Sequence, residues 1–309
     1  MKLYNIKDKK LLPVFSDNFK LEKDIQVLVE NNLKELFNLE LVKTEFTIRN
    51  FRIDTLCFNK ENKSFEIIEY KRERNFSVID QGYTYLSLML NNKSDFILEY
   101  NENNNETLKR DDIDWTQSRV RFISPHFTEY QKNSINFKDV PFELWEIKKY
   151  DNSMIGLIQH KTSSEESIST IQIDTENVVS SVTREIKVYS EEYHFTKNKK
   201  RDESVIELYK SLKERIINLG DDIDIIPRKE YVGFRRKRPF TDIVFYTEHL
   251  RILINMKKGE LDDPKHICKD MSVQGHWGNG DYEIRLTSQD DLEYTMFLIH
   301  QSYKKQDKI

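Results

Sequence analysis

Asp54 in FRIDTLCF, Glu69 and Lys71 in FEIIEYKRE, and Gln81 and Tyr85 in DQGYTYLSLML are the residues of this chain best suited to shared chemistry. Two carboxylates and a lysine at one edge of a sheet can hold a divalent cation and a phosphate together, the acids meeting the metal and the ammonium the anion. No single piece carries weight, because the chain is 33% charged and short acid-to-base spacings arise in it by chance. Glu-x-Lys occurs four times, beginning at Glu61, Glu69, Glu146 and Glu185. Only Glu69-Tyr70-Lys71 has a strand acid before it and a polar-faced helix after it. Glu61 falls in a turn, Glu146 sits in a strand with no helix after it, and Glu185 borders a polar stretch.

Elements of a definite kind must position these side chains. In an extended SFEIIEY segment Glu69 and Lys71 leave the same face and Tyr70 the other. The short polar turn from Asn59 to Lys63 predicts an antiparallel hairpin that brings Asp54 near Glu69. Acids so close repel unless a cation lies between them. Gln81 and Tyr85, four apart, share a face of a helix predicted from Val78 to Leu90, with Ser77 as its cap and Asn91-Asn92 at its end. Upstream, Ile25, Leu28, Val29, Leu33, Leu36 and Phe37 predict an amphipathic helix from Leu21 to Phe37. At about 100° per residue Glu22 falls near the middle of its apolar face and Glu30 toward the edge, so Glu22 is the favoured helix acid. An acid in a first helical turn also suits the helix dipole without any site.

Strands are predicted at LVKTEFTI, FRIDTLCF and SFEIIEY, then at DFILEY, RVRFISP and PFELWEIKKY, with a helix from Phe127 to Ile135. This is a mixed α/β pattern. With 309 residues the chain has room for two domains. The Ser-, Thr- and Glu-rich stretch beginning at Lys161 divides them, giving 1–160, a linker at 161–189, and 190–309. The second part reads as α+β. It has a helix from Glu203 to Leu219 with Gly220 as its cap, strands at EYVGFR, TDIVFY, LRILINM and DYEIRL, and a last helix from Asp290 to Tyr303.

The net charge of −4 balances 49 basic against 53 acidic residues, so affinity for nucleic acid must come from local basic patches. The densest, Arg235 to Arg238, reads as a phosphate-binding edge or a solvated turn, and charge runs alone favour the turn. No signal-peptide core or membrane-length apolar run is present, which predicts a cytoplasmic protein. Cys57 and Cys268 form no pair motif, and His266, Cys268 and His276 match no standard zinc spacing. His126, His160, His194 and His300 have no evident partners, and Trp115, Trp145 and Trp277 read as core.

Taken together, these motifs resemble the PD-(D/E)XK nuclease superfamily, in particular its RecB-like and NucS-like branches. The resemblance covers about residues 15 to 160. Asp54 matches the motif aspartate, although Ile53 stands where the motif's name puts proline. Glu69, Tyr70 and Lys71 match E-x-K, Gln81 and Tyr85 match Q-x-x-x-Y, and Glu22 matches the acid of the first helix. The resemblance implies a restriction-endonuclease-like αβββαβ core with a mixed sheet, followed by the smaller α+β domain. It implies Mg²⁺ or Mn²⁺ on Asp54, Glu69 and the Tyr70 backbone carbonyl, with Lys71 and Glu22 completing the catalytic set. Gln81 and Tyr85 would position nucleic acid, and Arg72 and Arg74 would hold flanking phosphates. The function implied is metal-dependent hydrolysis of DNA in repair or defence. The alternative is a nucleic-acid-binding or regulatory protein with a silent nuclease core, and a protein partner for the C-terminal domain and a homodimer are further expectations. The two-domain order also resembles a bacterial family whose members are often called predicted transport proteins, a description that the lack of a membrane segment does not support.

Overall fold

The computed structural model describes residues 2–71, 77–104, 106–151, 153–162, 164–168, 178–198, 201–273 and 279–308. The chain forms two units, Met1–Val188 and Tyr189–Ile309. The fold is mixed α/β with a mixed sheet, followed by a smaller C-terminal domain.

The first unit begins with a hairpin, β1 (Leu3–Lys7) and β2 (Lys10–Val14), and a short β3 (Ser16–Asp17). Then come α1 (Glu22–Glu30), α2 (Leu33–Phe37), β4 (Glu40–Ile48), β5 (Phe51–Asn59), β6 (Ser64–Tyr70), α3 (Val78–Asn91) and α4 (Lys93–Asn103). β7 (Arg119–Ser124), α5 (Glu129–Ser134), β8 (Phe142–Tyr150), β9 (Ile155–His160) and α6 (Val178–Glu185) complete it. The main sheet runs β3-β8-β7-β6-β5-β4, with β9 on β8. β4, β5 and β6 pair antiparallel, whereas β6, β7 and β8 pair parallel, so the sheet changes sense at β6.

That change explains the sequence of β6. Every residue of SFEIIEY is buried, as expected for a central strand covered on both faces. On one face Ile25, Val29, Leu33 and Phe37 of α1 and α2 pack against Cys57, Ile68 and Tyr70. On the other, α3 and α4 pack Leu86, Met89, Phe96 and Tyr100 against Leu56, Phe58, Phe65 and Ile67.

Several expectations are corrected. The helix predicted from Leu21 to Phe37 is two helices, because the chain breaks at Asn31-Asn32. DFILEY is not a strand but part of α4. Phe96 and Tyr100, four apart, bury one helical face against Phe46, Phe58 and Phe65, and that packing outweighs the strand-like composition. Part of the expected linker is core. Ile168, Val182 and Ile186 join the first unit's apolar cluster, with spacings that the polar composition hid. Residues 169–177 lie outside the described residues.

Gly82 is where α3 comes closest to the sheet. A Cβ there would meet the Phe142 ring at 2.6 Å, and that ring is held by Tyr83 and Phe122. Gly82→Ala is therefore expected to destabilise the first unit by about 1–2 kcal/mol despite the better helix propensity of alanine, read as a lower denaturant midpoint.

The second unit contains α7 (Glu191–Thr196), α8 (Glu203–Ile217), β10 (Asp224–Pro227), β11 (Val232–Arg235), β12 (Pro239–Phe245), β13 (Leu250–Ile254), β14 (Lys269–Asp270), β15 (Tyr282–Leu286) and α9 (Leu292–Lys305). Its antiparallel sheet runs β10-β11-β12-β13-β15-β14, and α8 and α9 pack Leu208, Leu212, Leu298 and Ile299 on the core. The α8 cap is Asn218, not Gly220. Glycine at 220 serves a close approach, since a Cβ there would lie 2.3 Å from the Tyr303 hydroxyl.

Candidate active site

The β5–β6 ladder ends at the pair Thr55–Ile68, one step before Asp54 and Glu69. There the Asp54 carboxylate replaces a backbone acceptor: the Tyr70 N–H donates to its Oδ2 at 3.0 Å. One residue on, the Lys71 N–H donates to the Ile123 carbonyl at 2.9 Å, so the backbone stays fixed on the β7 side. The hairpin thus turns Asp54 from a ladder residue into a side chain aimed at the end of β6.

Glu69 is only 2% exposed. Its Oε1 accepts from the Lys71 ammonium at 2.6 Å and from the Gln81 amide at 2.7 Å. Its Oε2 is buried with no hydrogen-bond partner. A buried carboxylate oxygen left unpaired is costly, so this atom calls for a cation or a proton.

α3 is positioned by its cap, where Ser77 Oγ accepts from the Asp80 N–H at 3.3 Å. One turn separates Gln81 and Tyr85. The Gln81 amide also donates to the Tyr85 hydroxyl at 3.0 Å, and that hydroxyl donates to the Arg52 carbonyl at 3.2 Å. Both therefore brace Glu69.

The two acids disfavour each other's charge. Burial, and then the charge of Asp54, push the Glu69 carboxyl up to about 7. Burial raises Asp54 as well, against the Tyr70 N–H and Lys71 that pull it down. One ammonium does not offset the burial of Glu69 beside the half-buried Asp54.

Glu22, the first residue of α1, is half-buried and close enough for its charge to act on Asp54. Glu30 is engaged elsewhere, accepting from Thr55 at 2.6 Å, Gln26 at 3.0 Å and Thr44 at 3.1 Å. Sequence reasoning missed Gln26, whose amide donates to the Asp54 carbonyl at 3.0 Å from the buried face of α1. Its place four residues after Glu22 was the available signal. Arg72 and Arg74 lie outside the described residues, as do His276 and Trp277.

Among the described residues no three His, Cys, Asp or Glu side chains are grouped to hold a metal. Mg²⁺ needs no such cage, since it is bound through one or two carboxylates, waters and substrate phosphate. Asp54, the orphaned Oε2 of Glu69 and a backbone carbonyl fit that donor set.

The remaining expectations resolve as structural features. Arg236 pairs with Asp222 and Asp307 and lies over Tyr303, so the basic run is a turn tied down between β11 and β12. His194 is buried on the Arg228 carbonyl at 2.7 Å, and burial lowers it to about 4. Cys57 and Cys268 are free thiols, and Trp115 stacks on Phe65 in the core.

An uncharacterized protein of Haemophilus influenzae is 47% identical to this chain over 305 residues, covering 98% of the chain and 100% of that protein. The chain belongs to that protein's family. Residues 191–306 also match the family described as a domain of unknown function (DUF5655), which takes in nearly all of the second unit. Among solved structures, a repair endonuclease from Pyrococcus abyssi matches 38% of the chain at 18% identity with a TM-score of 0.22, and the chain spans 44% of that endonuclease's length. Among the described residues no helix is long and apolar enough to cross a membrane.

Proposed function

We propose that the first unit hydrolyses phosphodiester bonds in DNA, in repair or defence, with Mg²⁺ or Mn²⁺ as its metal. The observation that carries this reading is the buried Glu69, with one oxygen on Lys71 and the other orphaned, beside a second acid whose carboxyl is also raised. Asp54, Glu69 and the Tyr70 backbone carbonyl would hold the metal, which when bound polarises the phosphodiester and lowers the pKa of water. Asp54 is oriented for this by the Tyr70 N–H and by Gln26, which fixes its main chain. Lys71 brings a compact ammonium to the developing charge on phosphate, one of its donors going to Glu69. Gln81 and Tyr85 act as positioning residues, keeping Glu69 turned toward Lys71. Glu22 adds negative charge near Asp54 and so strengthens attraction for a cation.

The test is hydrolysis of single-stranded, branched and duplex DNA with Mg²⁺ or Mn²⁺, compared with Lys71→Ala. Cleavage by the parent chain that the variant lacks supports the reading. Equal products from both proteins, or none from either, reject it.

A further inference from the structure

No helix follows the Glu-x-Lys at Glu146, yet the fold brings it to the same edge as the first. β6, β7 and β8 are parallel and in register, with Tyr70 opposite Ile123 and Ile123 opposite Trp145. One residue further along each strand stand Lys71, Ser124 and Glu146. Phe122, Phe142 and Leu144 pack in the core cluster that contains α3, whereas Ile123 and Ile147 pack in the other. Alternation therefore puts Glu146 and Lys148 on the face that carries Glu69 and Lys71. Two strand spacings of about 4.8 Å separate the two motifs, roughly 10 Å in all.

Basic groups converge at this second point. The Glu146 carboxylate, 5% exposed, lies 3.0 Å from His160 Nε2, 3.3 Å from Lys148 Nζ, 3.7 Å from Lys132 Nζ and 3.8 Å from His126 Nδ1. Those four side chains are 24% to 49% exposed, but His160 Nε2 is itself buried, so a buried acid backed by His160 anchors a rim of His126, Lys132 and Lys148 that faces solvent. Glu129 also reaches Lys132, but it is 82% exposed, and such a contact is easily exchanged for another anion.

We propose that Lys132, Lys148 and His126, held in place by Glu146 with His160 behind it, form a subsite for the phosphate backbone of the nucleic acid whose scissile phosphate lies at Lys71. This rests on the proposed nuclease reading and extends it. At about 3.4 Å of axis per phosphate in each strand, 10 Å spans roughly three phosphates, so one strand reaches both points. Contacts of this kind position a strand without reading its sequence.

The test is binding of a fluorescein-labelled single-stranded DNA oligonucleotide to the full-length chain in EDTA, by anisotropy across a salt series. The double variant Lys132→Ala/Lys148→Ala is expected to weaken binding and to flatten the slope of log K against log salt by about 1.4, two lost phosphate contacts at about 0.7 each. Lys148→Arg is expected to keep the parent slope. So is Lys60→Ala, a loss of charge in the turn at the opposite end of β6. An unchanged slope in the double variant, an equal fall in Lys60→Ala, or no binding by the parent overturns the subsite. Because the assay omits metal, binding with the predicted slopes but no cleavage in Mg²⁺ would reject the nuclease reading and leave the subsite standing.

Discussion

Lys71→Ala and Asp54→Asn are each expected to lower the rate of DNA hydrolysis in Mg²⁺ by about 10²–10³-fold or more, the usual cost of removing one preorganised group that meets transition-state charge. Lys71 is the cleaner test, because its side chain is 21% exposed and its loss should leave the core intact. Asp54→Asn keeps an acceptor for the Tyr70 N–H while removing the charge that attracts the metal. The two act on one metal–phosphate unit, so the double variant should be little worse than the more severe single one. Gln81→Ala removes a neutral donor from Glu69 and should cost less, about tenfold, with the loss partly recovered at higher Mn²⁺ if its role is to orient the carboxylate. Initial rates on labelled DNA, with circular dichroism to confirm folding, decide these points. A Lys71→Ala protein as active as its parent would remove the ammonium from the mechanism.

What sequence could reveal depended on how local the determinants were. The β5–β6 hairpin was legible because a short polar turn joins two β-rich runs, and that turn brings Asp54 to Glu69. Gln81 and Tyr85 were legible as a pair because four residues make one helical turn. DFILEY reads as a strand in sequence because its helical state depends on what Phe96 and Tyr100 touch, namely Phe46, Phe58 and Phe65, which are remote in sequence. The hairpin of β1 and β2 left no trace because most of its residues are exposed, so no alternation of burial marks it. The gathering of bases around Glu146 needed the parallel register of β7 on β8, the antiparallel return of β9 and the placing of α5, which no motif encodes. His126 and His160 lacked partners in sequence for that reason.

The electrostatics of Glu69 lead to an expectation about stability. Without metal, Glu69→Gln should stabilise the first unit near pH 8 while abolishing cleavage. The Glu69 carboxyl is raised in the folded state from 4.5 to about 7, mainly by burial. A group shifted this way binds its proton more tightly when folded, so its charged form opposes folding. Below about pH 4.5 it is protonated in both states and costs nothing. Between about 4.5 and 7 the penalty grows as pH rises, and above about 7 it is fully present, at about 3 kcal/mol for a shift of that size. Glutamine keeps an acceptor for Lys71 and Gln81 and carries no charge. Its gain should therefore appear in urea unfolding near pH 8 and vanish near pH 4. Added Mn²⁺ should reverse the order once it reaches about 1,000 times its Kd, because a metal that binds only the folded parent then contributes about 4.1 kcal/mol that the variant forgoes, more than the burial penalty. A variant less stable than its parent near pH 8 in EDTA would mean that the Lys71 ion pair outweighs the burial penalty, and the case for a cation at the orphaned Oε2 would lose its electrostatic basis.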